Sequence, residues 1–306
     1  MKAVILSAGQ GKRLMPLTER SPKCTVTLNG KALLDWQIDG LLANGVDQIV
    51  VVTGFGAEHV ERLVARRGHD ARVKTIFNPH FEVADNLVSC WTARGEMTKD
   101  FVLLNGDTVF EPGVLRRLVD APCRPITLAI DRKTHYDDDD MKVQLDGSRL
   151  LRVGKDLPLD RVDGESIGMM VFRGRGWLLF REALERAVHR PQGKNRWYLS
   201  VLDELARTGS VWTQSISGLS WSEIDYPLDL VRASSMIGAW KRHQDDHADG
   251  GVRTNFVSLP LKFLSISWFL RCVVLGGPRF GVTVRFSMLL NCSRRPSRAG
   301  GSPMFV

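Results

Sequence analysis

The feature that most constrains this chain stands at its start, where a short apolar run, Lys2-Ala3-Val4-Ile5-Leu6-Ser7, stops at Ala8-Gly9-Gln10-Gly11. A β-rich run of this length that ends in glycines is how a central parallel strand meets a loop. A second such run, Gln48 to Thr53, ends at Gly54, and between the two Leu33, Leu34, Trp36, Gln37, Ile38, Leu41 and Leu42 recur at helical spacing. That helix stops at Asn44-Gly45, a C-cap signal. The spacing therefore predicts a βαβ unit. The alternation continues with a helix over Ala57 to Arg66, a strand over Val73 to Phe77, a helix over Leu87 to Glu96, a strand over Phe101 to Asn105 and a helix over Gly113 to Val119. The expectation is an α/β fold with a doubly wound, mostly parallel, Rossmann-like sheet, and ligands at the carboxyl ends of its strands.

After Pro125 the pattern changes to strands over Ile126 to Asp131, Met141 to Leu145, Leu150 to Val153 and Ile167 to Phe172, with the hairpin signal Asp146-Gly147 among them. These predict a small antiparallel region. Helices over Trp177 to Val188 and Leu199 to Arg207 follow, then strands over Val211 to Ile216 and Trp221 to Asp225, and a last helix over Pro227 to Arg242.

Charge divides the chain differently. The net charge of +8 hints at an anionic partner such as nucleic acid. Yet Arg253, Lys262, Arg271, Arg279, Arg285, Arg294, Arg295 and Arg298 all lie beyond residue 249, where no acid occurs; without these eight, the 42 Lys and Arg fall to 34, equal to the 34 Asp and Glu. A neutral body argues against a nucleic-acid binder. The domain reading is a body over 1–242 and an atypical, acid-free tail over 250–306, read as out of frame or disordered rather than as a folded subdomain. No membrane span is expected in it, because Pro260, Lys262 and Arg271 interrupt its apolar runs. Five cysteines spread singly suit a reducing cytoplasm, and the oligomeric state stays open.

The chemistry concentrates in Leu6-Ser7-Ala8-Gly9-Gln10-Gly11-Lys12-Arg13-Leu14-Met15-Pro16-Leu17-Thr18, followed by Ser21-Pro22-Lys23. Gly9 and Gly11 remove side chains where backbone must approach phosphate, and their N–H groups can face anionic oxygens. Arg13 and Lys23 add fixed positive charge. Attack on an α-phosphorus loads negative charge on the equatorial oxygens and on departing pyrophosphate, and preorganised cations stabilise both. Arg13 suits the β- and γ-phosphates; Lys23 suits the α-phosphate and the leaving group. The dinucleotide fingerprint fails, since position 14 is Leu, and a Walker loop fails for want of Gly-Lys-Ser/Thr.

What matches is Leu-x-x-Gly-x-Gly-x-Arg-Leu-x-Pro-x-Thr with Pro-Lys a few residues on, which resembles the signature of the sugar-phosphate and phospho-alcohol nucleotidyltransferases. The resemblance spans residues 1–242. It implies the nucleotide-diphospho-sugar transferase type of sheet, a nucleoside triphosphate and a phosphorylated small molecule as partners, and Mg²⁺ as cofactor. Leu6, Ala8, Gly9, Gly11 and Gly106 are expected to line the nucleotide. Asp107, at the carboxyl tip of the Phe101 to Asn105 strand, is expected to ligate magnesium together with Asp225 in Trp221-Ser222-Glu223-Ile224-Asp225. The four acids Asp137 to Asp140 are read as a solvated loop, with guarding of the substrate mouth as the alternative.

Asn86 and Ser89 in Asp85-Asn86-Leu87-Val88-Ser89 resemble the Asn-x-x-Ser of the phosphocholine cytidylyltransferase branch, which favours CTP; a plain helix cap is the alternative. Lys155, after a hairpin, resembles the lysine that holds the acceptor's phosphate, and Glu165 with Gly168 in Asp163-Gly164-Glu165-Ser166-Ile167-Gly168 is expected at the same mouth. The implied activity is transfer of CMP from CTP to a phosphocholine-like alcohol with release of pyrophosphate. Inositol phosphate, aminoethylphosphonate and sugar phosphates stay open as acceptors. A sugar-1-phosphate enzyme using UTP, dTTP or GTP is the near rival, and a catalytically silent nucleotide-binding module the distant one.

Overall fold

The computed structural model describes residues 1–67 and 71–249, with two short strands at 272–275 and 283–286. Its strands are β1 (Lys2–Ser7), β2 (Thr27–Leu28), β3 (Lys31–Ala32), β4 (Gln48–Thr53), β5 (Val73–Phe77), β6 (Phe101–Asn105), β7 (Thr108–Phe110), β8 (Ile126–Asp131), β9 (Lys142–Asp146), β10 (Arg149–Gly154), β11 (Gly164–Phe172), β12 (Val211–Ser215), β13 (Trp221–Glu223), β14 (Cys272–Leu275) and β15 (Thr283–Phe286). The α-helices are α1 (Leu33–Ala43), α2 (Ala57–Ala65), α3 (Asn86–Thr92), α4 (Pro112–Val119), α5 (Gly176–Val188), α6 (Leu199–Arg207) and α7 (Pro227–Asp249). Two compact units divide the chain, Met1–Lys241 and Arg242–Val306. In the second, β14 pairs antiparallel with β15; the expectation for the rest of the 250–306 tail lies outside the described residues.

One nine-stranded sheet runs β5-β4-β1-β6-β11-β8-β12-β10-β9. Its first four strands are parallel, as the βαβ pattern predicts. From β11 onward the sheet is mixed: β11 is antiparallel to β6 and β8, while β12 runs parallel to β8. The residues after Pro125 thus extend the same sheet, and β9, β10 and β11 supply the expected antiparallel pairings.

Side chains alternate across a strand, so a sheet covered on both faces demands apolar residues at every position. β1 obeys: Val4 and Leu6 enter one core cluster with Phe101, Phe172 and Phe180, while Ala3 and Ile5 enter the opposite one with Leu34, Ile38 and Val114. Phe101 and Phe172 stack at 4.4 Å between centroids. A third cluster joins Leu14, Leu28, Leu33, Val109, Ile224, Ala233, Ile237 and Trp240. It ties the segment behind the glycine loop to α7, and each buried leucine in it stabilises the arrangement by about 1.5–3 kcal/mol.

Candidate active site

The glycine loop turns because Gly11 takes a left-handed φ of 78°. A β-carbon there would come within 2.7 Å of the Lys23 Cβ, so this glycine serves two ends: it bends the chain and lets Lys23 lie against the loop. Thr18 closes the loop by donating to the Gly11 carbonyl at 2.7 Å. At Gly9 the position of a side chain is open space, which leaves its backbone accessible. Ala8 is buried, and its carbonyl accepts from the Phe55 N–H. Leu6, also buried, accepts from the Gly106 N–H at 2.9 Å, and a β-carbon on Gly106 would sit 2.4 Å from that same carbonyl oxygen. The loop after β1 and the turn after β6 therefore meet backbone to backbone.

That turn carries Asp107. It is gripped from beneath by Gln37 of α1, fully buried, whose Nε2 donates to the carbonyls of Asn105 and Thr108, both at 2.8 Å. The chain then pairs β7 with β13, setting Glu223 opposite Thr108, and the Ile224 N–H donates to the Asp107 carbonyl at 3.0 Å. This short ladder brings the two distant acidic segments together. Carboxylate oxygens of Asp107, Glu223 and Asp225 lie within 4.8 Å of one another.

Lys23 reaches into this group. Its Nζ donates to Asp107 Oδ2 at 3.0 Å and makes a closer contact with Asp225 Oδ1. Burial opposes its charge, but the negative charges of Asp107 and Asp225 outweigh it and hold the ammonium's pKa well above the ordinary lysine value. Glu223 faces the opposite balance: desolvation in the cleft, reinforced by the charges of Asp107 and Asp225, pushes its carboxyl up to about 8. Asp107 Oδ1 is buried and accepts no hydrogen bond. Three carboxylates crowded together, one oxygen unsatisfied and one group driven towards protonation, describe a site short of positive charge. An all-oxygen donor set of this kind fits a hard divalent cation.

Arg13 continues the chain of charges, donating to Asp225 Oδ2 at 3.3 Å and lying 3.2 Å from Asp139. Lys155, in the turn directly after β10, donates to Asp139 Oδ1 at 2.9 Å, with its ammonium 4.6 Å from the Trp197 ring centre. Arg13, Lys23, Asp107, Asp225 and Lys155 thus form one connected set of contacts. Glu165 and Gly168 lie within β11, which begins earlier than its apolar run suggests and is irregular between Ser166 and Met170. Glu165 is buried 3.0 Å from Lys133; desolvation pushes its carboxyl up to about 7 against that lysine's pull. Gly168, at φ 73°, makes room for the Asn105 side chain, since a β-carbon would come within 2.4 Å of its Nδ2.

Asn86 and Ser89 both lie on α3 and each accepts a hydrogen bond from another part of the fold. Asp85, not Asn86, occupies the cap position of α3. The Asn86 Oδ1 accepts from the Tyr198 N–H at 3.0 Å, and the buried Ser89 Oγ accepts from Asn78 at 3.0 Å. Tyr198, fully buried, donates its hydroxyl to Asn105 Oδ1 at 2.7 Å. Glu223 and Asn105 were not singled out in the sequence, and Asp139 entered only as one of four acids read as a solvated loop or a guard of the substrate mouth. Of the first two, only Glu223 left a usable signal, for it stands two residues before Asp225 in a strand context, where alternate residues share a face.

Solved structures that share this architecture include proteins named as nucleotidyltransferases. The inositol-1-phosphate CTP transferase from T. maritima superposes with a TM-score of 0.67 over 78% of this chain and 96% of its own, at 23% identity, a likeness of fold. Sequence carries the assignment further: the family profile of the MobA-like NTP transferase domain matches residues 3–202, and the chain belongs to that family. It is 31% identical over 243 residues to the CMP-5'-(3-aminopropyl)phosphonate synthase of Streptomyces rubellomurinus, covering 76% of this chain and 38% of the relative. It is 28% identical over 258 residues to the bifunctional IPC transferase and DIPP synthase of Aquifex aeolicus, covering 84% and 54%. The chain thus spans about two-fifths to one-half of the length of these curated relatives. Among the described residues no helix is long and apolar enough to cross a membrane, and Cys24, Cys90 and Cys123 are free thiols.

Proposed function

We propose that the chain is a Mg²⁺-dependent cytidylyltransferase that transfers CMP from CTP to a phosphorylated alcohol and releases pyrophosphate. The observation that carries this reading is Lys23, held between Asp107 and Asp225 beside the unsatisfied Asp107 Oδ1. CTP is favoured because relatives are named for CMP transfer and for CTP.

In this mechanism an oxygen of the acceptor's phosphate attacks the α-phosphorus, the new P–O bond forms as the bond to the β-phosphate's bridging oxygen breaks, and pyrophosphate leaves in line. No general base is required, because the attacking oxygen is already ionised. Magnesium, held by Asp107 and Asp225 with Glu223 as a third donor, would neutralise triphosphate charge. Lys23 would exchange its carboxylate contacts for oxygens of the α-phosphate and the leaving group, and Arg13 would hold the β- and γ-phosphates. Lys155 would orient the acceptor's phosphate, which cuts the entropy cost of the encounter. The backbone of Leu6, Ala8, Gly9, Gly11 and Gly106 would lie along the nucleotide.

The test is pyrophosphate release, screened with CTP, UTP, dTTP and GTP against phosphocholine, inositol phosphate, aminoethylphosphonate and sugar phosphates, with Mg²⁺ and with chelator. CTP should be preferred, and Lys23→Ala and Asp107→Ala should each lose at least a hundredfold in turnover while keeping the wild-type unfolding midpoint. Near-normal turnover in both variants rules the mechanism out.

A further inference from the structure

Asp139 lies between the two outermost cations of the site. Its carboxylate is 3.2 Å from Arg13 and accepts from Lys155 at 2.9 Å. The acidic run Asp137 to Asp140, which composition alone reads as a solvated loop, is a constructed turn. Asp137 Oδ1 accepts from the N–H groups of Asp139 and Asp140 at 2.9 and 3.2 Å, and Asp140 Oδ2 accepts from the Asp137 N–H at 2.8 Å. Asp140 is pinned by Lys133 at 2.7 Å, which also pairs with Glu165 of β11. With two of the acids used inside the turn, Asp139 is directed across the cleft.

We propose that Asp139 is a positioning residue that stands in for substrate phosphate: in the free enzyme its carboxylate neutralises Arg13 and Lys155, and each substrate must displace it to reach its cation. The proposal rests on the reading that Arg13 holds the triphosphate and Lys155 the acceptor's phosphate. On that reading the two cations serve opposite ends of the reaction, so one carboxylate touching both spans the line along which the transfer runs. The contacts are suited to exchange. Arg13 is 44% and Asp139 47% exposed, and ion pairs this open to water are weak and screened by salt. Dianionic phosphate, with more charge and more acceptor oxygens, replaces a single carboxylate readily. Asp225, the other partner of Arg13, belongs to the carboxylate group and does not reach Lys155 in this set of contacts; Asp139 alone, among the described residues, is bonded to both cations.

The test uses the full chain and Asp139→Asn, with Asp139→Ala as a second variant in case the amide disturbs the turn. Equilibrium titration with CTP, and with UTP, dTTP and GTP in parallel, gives triphosphate affinity; steady-state pyrophosphate release gives KM and kcat. The expected result is a two- to fivefold tighter triphosphate and a similarly lower KM for the acceptor. The change in kcat should be less than twofold, and the gain should shrink as salt rises from 50 to 500 mM. In a Lys155→Met background the gain in acceptor KM should disappear, since the cation that Asp139 neutralises is gone. Unchanged or weaker binding of the triphosphate by both Asp139 variants overturns the proposal. Failure of the wild-type chain to bind any of the four triphosphates would instead sink the cytidylyltransferase reading itself.

Discussion

Glu223 and Glu165 are both carboxylates pushed up in pKa, and they bear on different measurements. Glu223→Gln keeps the shape but removes a donor from the three-carboxylate group, and the Mg²⁺ concentration at half-maximal activity should rise about tenfold or more; an unaltered metal titration would exclude Glu223 as a donor. Glu165 tests stability. Its folded carboxyl titrates at about 7 against an ordinary value of 4.5, so as pH rises through that interval the unfolded chain sheds its proton first. Stability attributable to this group therefore falls between pH 4.5 and 7 and is level above, by at most ~3 kcal/mol. Glu165→Gln should flatten that slope, which urea unfolding at pH 5 and pH 8 measures against wild type. Gly11→Ala should fail differently: the left-handed φ and the 2.7 Å approach to Lys23 both resist a side chain, so turnover should drop at least tenfold while the sheet persists.

The same scale explains what the amino-acid sequence disclosed. Arg13 and Lys23 stood out through the spacing of the glycine loop, Asp107 through its place at a strand tip, and Asp225 only through the family resemblance. Gly168 was legible as a close-approach glycine, but its neighbour, Asn105, is 63 residues away and invisible to local reading. Asn86 and Ser89 stood out as polar residues at a helix start, whereas their partners Tyr198 and Asn78 come from elsewhere in the fold.

Among elements, α1 has the least expected part. It packs as an apolar helix, yet Gln37 in its buried face holds both carbonyls that flank the Asp107 turn. Gln37→Met preserves volume and leaves those carbonyls without donors, at a cost of about 1–3 kcal/mol each. Turnover should fall more steeply than thermal stability; equal losses would mean that Gln37 merely fills space. The parallel half of the sheet was readable because strands covered on both faces are uninterrupted apolar runs. The mixed half was less so: β8 to β12 form one surface with the rest through pairings such as Val211 with Ile126, which no spacing encodes. The early start of β11 was missed because Glu165 and Ser166 break its apolar pattern.

At the scale of the molecule, Met1–Lys241 is compact by itself and contains every residue assigned to the chemistry. A chain ending at Asp249, which keeps α7 entire, should release pyrophosphate at a rate within threefold of the full chain; loss of activity together with retained triphosphate binding would give the acid-free tail a part in turnover. The β7–β13 ladder has a further consequence. Lys23 and Asp225 are 202 positions apart, so a ribosome will have built the phosphate loop long before the last carboxylate emerges. Until then Lys23 has at most one of its two acidic partners, and the three-carboxylate group is incomplete. The fold thereby leaves Lys23 and Asp107 waiting for a partner that the chain supplies much later.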